Sequence, residues 1–258
     1  QKAIAFIEAH QDSPFFIYLP HSMPHIPLYV PDNIRDPDPK NAYINTIEHI
    51  DTEVGRLLDA VDQFNLSANT YVIYTTDNGP WLQFKHHGGS AGPLRAGKGT
   101  TFEGGQRVPC LIRGPGIPAG TVCDQLTGTI DVLPTIAAIT GTALPEDKKI
   151  DGMDVTGLWE GTAVQSPRNE FVHYTSVGKL EGLRQGDWKL LVKQASSRRN
   201  QQGEKKLPQM MLFDLKNDLG EQNNLAGQYP EIVQKLRKRM EILDQEITIN
   251  ARAPWIKN

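Results

Sequence analysis

Apolar residues return at helical spacing in Gln1 to His10, where Ala3, Ile4 and Ile7 share a side, and this predicts a short helix. Pro14-Phe15-Phe16-Ile17-Tyr18-Leu19 then reads as a fully buried strand. No N-cap precedes the helix and no earlier segment could pair with the strand, so the polypeptide is expected to be part of a longer α/β unit. A proline-rich loop runs from Pro20 to Pro39. The clearest helix is Asn41 to Phe64, where Ile44, Ile47, Ile50, Val54, Leu57, Leu58 and Val61 form one stripe expected to pack on a sheet. Glu48, Asp51, Asp59 and Asp62 fall on its wet side. Thr70 to Thr75 is a second buried strand, and it ends abruptly in Asp77-Asn78-Gly79-Pro80.

A long glycine-rich stretch, with Gly88, Gly89, Gly92, Gly97, Gly99, Gly104 and Gly105, leads into a strand from Val108 to Ile112. Such a loop is too long to be mere connection. Asp131 to Thr140 predicts a short helix with Pro134 in its first turn and Gly141 just past its end. Beyond about Asp154 the texture changes. Short strands around Phe171–Tyr174, Leu183–Arg184, Trp188–Val192 and Met211–Leu215, with a turn at Gln185-Gly186-Asp187, predict antiparallel pairing. Tyr229 to Ile247 closes the pattern as an amphipathic helix, with Ile232, Leu236, Met240 and Leu243 on one face. The expected organisation is α/β: residues 1–154 as the end of an α/β domain, and residues 155–258 as a small subdomain of antiparallel strands and a helix.

Composition narrows the function classes. With 27 Lys+Arg against 30 Asp+Glu and a net charge of −3, the chain lacks the basic excess of a phosphate-binding nucleic-acid partner. Only Lys179 to Lys206 leans basic, and that stretch reads as loop. No apolar run reaches the roughly 18 residues that cross a bilayer. Neither a nucleic-acid nor a membrane partner is expected. The two cysteines, Cys110 and Cys123, exclude a disulfide-built scaffold. They flank a turn-rich stretch, so a bridge is geometrically conceivable, but two small buried thiols are the commoner outcome. Asn65-Leu66-Ser67 is a glycosylation sequon of a kind that chance often produces.

Three features carry chemistry. Asp77 and Asn78 offer a carboxylate and an amide oxygen at the mouth of a sheet, the hard donors that calcium or magnesium prefers. An ordinary Asp-Asn-Gly turn explains the same residues, and on the dipeptide alone the turn is favoured. His21 and His25 share the loop after the first strand, at the end of an α/β sheet where ligands bind, and a histidine there can protonate a leaving group. A packing histidine is the plainer reading. Lys98, between Gly97 and Gly99, would present an ammonium where backbone approaches an anion closely; alone, it is a solvated lysine. His86 and His87, being adjacent, do not face one ion. Ser90-Ala91-Gly92-Pro93-Leu94-Arg95 is not the Cys/Ser-x-Pro-x-Arg nucleophile pattern, because its proline falls one position late.

Taken in order along the chain, several segments resemble the sulfatases, in particular the arylsulfatase A-like group of the alkaline-phosphatase superfamily. They are Pro14-Phe15-Phe16-Ile17-Tyr18 with Pro24-His25-Ile26-Pro27, Thr76-Asp77-Asn78-Gly79-Pro80, the run from Gly97 to Pro109, Ile130-Asp131-Val132-Leu133-Pro134-Thr135, Asp151-Gly152, and Leu212-Phe213-Asp214-Leu215 with Asn224-Leu225-Ala226. The resemblance implies an alkaline-phosphatase-like fold and a periplasmic, extracellular or lysosomal location. It implies that Asp77 and Asn78 ligate calcium, and that His25 and Lys98 contact the sulfate and help the leaving oxygen depart.

The formylglycine nucleophile of that family arises in a Cys/Ser-x-Pro-x-Arg motif, which is absent, as are the N-terminal aspartates of its metal site. The chain is therefore expected to be a C-terminal portion of a sulfatase, inactive alone, with the missing N-terminal half or self-association as its partner. A phosphodiesterase or phosphonate hydrolase of the same superfamily is the second reading. A non-catalytic binding or scaffolding piece is the third.

Overall fold

The computed structural model describes residues 1–193 and 209–252. It divides into two compact units, residues 1–91 with 108–119, and residues 92–107 with 120–258.

In the first unit, helix α1 (Lys2–Ala9) packs on the long helix α2 (Ala42–Gln63). Helix α2 buries Thr46, Ile50, Ala60 and Val61, whereas Ile44, expected on the apolar stripe, is exposed. Strand β1 (Val72–Thr75) pairs antiparallel with β2 (Cys110–Arg113), in a register from Val72↔Arg113 to Thr75↔Cys110. Arg113 binds Asp62 at the end of α2, which ties the strand pair to the helix. The Asp62 carboxyl is held below its ordinary value by hydrogen bonds from Ser67 and Arg113.

The strand expected at Pro14–Leu19 does not form. Phe16 and Tyr18 are 72% and 78% exposed, and among the described residues no strand pairs with the segment. A continuous apolar run is not enough, because an extended segment becomes a strand only where a neighbour takes its backbone hydrogen bonds.

In the second unit, a one-turn helix α3 (Glu103–Gln106) follows the Lys98 loop. Helix α4 (Val132–Thr140) ends at Gly141, whose φ of 66° provides the left-handed stop expected from the sequence. Helix α5 (Thr156–Trp159) precedes a four-stranded antiparallel meander: β3 (Glu170–Tyr174), β4 (Leu180–Gln185), β5 (Trp188–Lys193) and β6 (Gln209–Asp214). Helix α6 (Pro230–Ile249) completes the unit.

Period-two alternation gives this sheet two buried faces. Leu183, Leu190 and Leu212 meet Val233, Leu236 and Met240 of α6. Leu191, Met211, Phe213 and Leu215 point the other way, where Phe102 joins them. The glycine-rich segment is thus laid on the face that α6 leaves open. Edge strand β6 is covered by Asn224-Leu225-Ala226: Asn224 Oδ1 accepts from the Leu212 amide at 3.0 Å, and the Leu225 amide donates to the Leu212 carbonyl at 2.8 Å.

The basic stretch Lys179 to Lys206 is loop only in expectation. Its first part forms β4 and β5, and Lys189 is fully buried; residues 194–208 lie outside the described ones. Cys110 and Cys123 are free thiols, but exposed and not buried as expected: Cys110 opens β2, half of a two-stranded sheet whose residues are little covered.

Candidate functional site

Asp77 and Asn78 sit in the bend that follows β1, at that strand's carboxyl end. Asn78 donates from Nδ2 to the Gly79 carbonyl at 2.8 Å, so its Oδ1 is not the atom engaged in that bond. The Asp77 carboxylate is exposed and makes no hydrogen bond or ion pair with another described residue. Both side chains thus offer an oxygen, the donor chemistry of calcium. Among the described residues no group of three or more His, Cys, Asp or Glu could hold a metal. Because calcium takes about six to eight oxygens, this pair fits as part of a ligand set and not as a whole one.

His25 lies in the loop after residue 20, exposed, with its ring nitrogen Nδ1 2.8 Å from the Ile26 carbonyl. A carbonyl only accepts, so Nδ1 carries a proton and Nε2 is the nitrogen left for exchange with a ligand. Its imidazole stands 5.5 Å, centroid to centroid, from the indole of Trp81. Trp81 comes three positions after Asn78 and stacks edge-on against Phe84 at 4.6 Å. The first unit therefore brings the His25 loop to the continuation of the Asp77-Asn78 bend. A cleft of about 400 Å³ opens beside the start of the same loop, lined by His21, Met23, Tyr29, Thr46, His49 and Glu53 among others.

Lys98 belongs to the second unit. It occupies a turn in which Thr100 donates both its amide (3.2 Å) and its hydroxyl (2.8 Å) to the Gly97 carbonyl. The chain then coils back on itself. The Gly104 amide donates to the Arg95 carbonyl at 2.9 Å, and a Cβ at Gly104 would strike the carbonyl oxygens of Arg95 and Ala96. A Cβ at Gly105 would likewise meet the Thr100 and Gly97 carbonyls. Glycine is needed here because backbone lies on backbone, and the result is a short rigid coil presenting Lys98.

Beneath this coil lies a charge cluster that the sequence did not reveal. Lys189 Nζ, on β5, sits 2.9 Å from Glu103 Oε1 and 3.0 Å from Glu221 Oε1. Arg184 Nη1 is 3.6 Å from Glu103 Oε2. The charges come from three distant segments, and each alone reads as an exposed residue. The one available signal was the period of β5, which puts Lys189 on the same side as Leu191.

Residues 1–142 match the family model described as sulfatase, and residues 97–246 match the one described as N-sulphoglucosamine sulphohydrolase, C-terminal. The chain belongs to the sulfatase family. It is 33% identical over 255 residues to human arylsulfatase A, covering 92% of this chain and 50% of that protein. Among solved structures, a 6S-sulf protein from a study of glycosaminoglycan metabolism by Bacteroides thetaiotaomicron superposes with a TM-score of 0.82 at 26% identity, covering 95% of this chain and 53% of the other. A phosphonate monoester hydrolase from Silicibacter pomeroyi, at 21% identity and a TM-score of 0.55 over 81% of this chain and 40% of its own, shares the fold alone. This sulfatase chain spans about half the length of the curated relatives it matches.

Of the segments that carry the resemblance, Ile130–Thr135 and Asp151-Gly152 are tied to each other through Asp131 and Arg168. Asp131 is buried, accepts from the Gly128 and Met153 amides at 2.8 Å each, and takes a fork of hydrogen bonds from Arg168. Arg168 also reaches the Asp151 carbonyl at 2.9 Å.

Proposed function

We propose that this chain supplies part of the active site of a sulfatase that hydrolyses a sulfate ester, with Asp77 and Asn78 as calcium ligands and His25 and Lys98 as sulfate-contacting residues. The nucleophile is carried on sequence outside these residues. The observation that supports this most is the family match through residues 1–142, which contains all four side chains, together with the unengaged Asp77 carboxylate after β1.

Each residue has a task fixed by its chemistry. The Asp77 carboxylate and the Asn78 Oδ1 hold the cation, and the bend after β1 presents both without breaking a strand hydrogen bond. When bound, calcium would draw charge from the sulfuryl oxygens, and formylglycine would supply the attacking oxygen. The Lys98 ammonium binds a sulfuryl oxygen, where negative charge is greatest in the transition state. The S–O bond to the alcohol breaks, and His25, protonated on both ring nitrogens, delivers the Nε2 proton to the departing oxygen and is left neutral with its proton on Nδ1, so that the alcohol leaves neutral. The net reaction consumes one water and yields alcohol and sulfate.

The chain by itself should turn over no sulfate ester, since it offers two metal-ligand side chains and no covalent nucleophile. The periplasm, the extracellular space or a lysosome is the compartment that goes with this activity; no helix among the described residues is long and apolar enough to cross a membrane.

The test combines the chain with a separately produced segment bearing the matured aldehyde and assays an aryl sulfate, a phosphate diester and a phosphonate ester, each with and without calcium. Calcium-dependent turnover of the sulfate by the mixture alone supports the proposal. Turnover by the 258 residues alone, or a preference for phosphorus esters, refutes it.

A further inference from the structure

Glu221 makes contacts out of proportion to its place in a surface turn. Its side chain is fully buried, yet its backbone adopts a left-handed φ of 51°, which a residue bearing a Cβ seldom adopts unless its surroundings fix it. Those surroundings are both ends of the Lys98 coil. Ahead of Lys98, Arg95 Nη1 donates to the Glu221 carbonyl at 2.6 Å, while its guanidinium lies 4.1 Å over the Phe102 ring. After Lys98, the Glu103 amide donates to Glu221 Oε2 at 2.6 Å. Glu221 Oε1 and Glu103 Oε1 then share the Lys189 ammonium on β5.

We propose that Glu221 is a positioning residue for Lys98: it fastens the two ends of the coil to each other and, through Lys189, to the β4–β5 sheet, so that the ammonium is held where the sulfate must sit. This rests on the reading of Lys98 as a sulfate-contacting residue.

Burial explains why such a device takes charged groups. A buried ion cluster contributes little net stability compared with apolar residues of the same volume, because desolvation offsets the attraction. What it does supply is direction, since a buried carboxylate tolerates only the geometry in which its donors are met. The apolar contact of Phe102 with Phe213 and its neighbours holds the coil down but, being non-directional, does not by itself fix its register. Thr101, three residues past Lys98, adds a further tie with its hydroxyl 2.5 Å from Glu181 Oε2 on β4.

The experiment uses the sulfatase that unites this chain with its formylglycine-bearing sequence. Turnover is measured for Glu221→Gln, for Lys98→Ala and for the double variant, and amide hydrogen exchange is read in the same proteins. Arg95→Met, which breaks one end of the fastening without stranding a buried charge, replaces Glu221→Gln if that variant does not fold. Glu221→Gln should lower kcat by about tenfold or more in the native background and by less than about twofold in Lys98→Ala, because a residue that acts through Lys98 loses its effect once Lys98 is gone. Exchange of the Thr100, Gly104 and Gly105 amides should rise by about tenfold while that of Leu190 and Leu212 stays unchanged.

Equal losses of kcat in both backgrounds would show a merely structural role and overturn the proposal, as would unchanged exchange in the coil. If Lys98→Ala leaves sulfate-ester turnover intact, the reading of Lys98 itself falls. The exchange data then report separately whether Glu221 holds the coil.

Discussion

The indole of Trp81 lies 5.5 Å from the imidazole of His25 and links the loop after residue 20 to the bend that follows β1. His25 is exposed, and its described anchors are the Ile26 carbonyl, its own amide bond to the Ser22 carbonyl, and this ring. Trp81→Ala should therefore leave the ring free to swing. In the intact sulfatase we expect kcat to fall about tenfold with KM little changed, a smaller loss than that of His25→Ala, since general acid catalysis is worth roughly 10²–10⁴-fold. Steady-state kinetics on an ester with a poor leaving group checks this. Equal kcat in Trp81→Ala and the native enzyme would remove Trp81 from the site.

Asp77 is exposed and holds nothing together, so Asp77→Ala should change stability by no more than about 0.5 kcal/mol. On the proposed reading of Asp77 as a metal ligand, its effect belongs to calcium. For the chain alone, calcium at about 1 mM should move Tm by less than about 1 °C, because two donors give weak affinity and weak binding stabilises little. In the intact enzyme the same substitution should raise the calcium concentration for half-maximal activity at least about tenfold. Calcium titrations of Tm and of activity measure both. A large loss of stability without calcium would mark Asp77 as a structural residue.

Which parts of this were legible follows from what each signal depends on. Helices α2, α4 and α6 and the four-stranded meander were readable because their apolar spacing is local, and Gly141 marks its helix end by a backbone need that only glycine meets cheaply. Pro14–Leu19 carried the same kind of signal and failed, since pairing is a property of the neighbour and not of the segment. The four proposed site residues stood out by motif. Trp81, Glu103, Lys189 and Glu221 did not, because their partners are brought together only by tertiary contacts. Lys189 is the sharpest case: it looks like a surface charge and is 0% exposed.

Gly104 tests whether the coil carrying Lys98 is as tight as its backbone implies. A methyl there would strike the Arg95 and Ala96 carbonyl oxygens, neither of which is a flexible side-chain end. Gly104→Ala should cost about 1–3 kcal/mol by overpacking and slow sulfate-ester turnover more than Gly55→Ala, a helical site with open space around it. Thermal unfolding and turnover of the two variants, side by side, give the comparison. Similar behaviour of both would mean that the coil yields easily.

Asp131 and Arg168 make part of the stability of the second unit depend on pH. Burial of Asp131 pushes its carboxyl up, but the Arg168 guanidinium and the Met153 and Gly128 amides together outweigh this and hold it below the ordinary value of 3.8. An acid whose folded-state pKa is lowered adds stability above its unfolded-state value, and that stability drains away as pH falls through the folded-state value. The contribution is therefore complete at neutral pH and declines only below about pH 4. Asp131→Asn keeps the shape but leaves the buried Arg168 charge without its counterion, so at pH 7 it should cost about 3–5 kcal/mol. As pH falls below about 4 the native chain progressively loses this contribution, and the gap between the two proteins should narrow. Urea unfolding of both at pH 7 and near pH 3 gives the difference directly. A constant gap across that range would mean that the Asp131 charge does not stabilise the fold, and that the joint between Ile130–Thr135 and Asp151 is held by hydrogen bonds and packing alone.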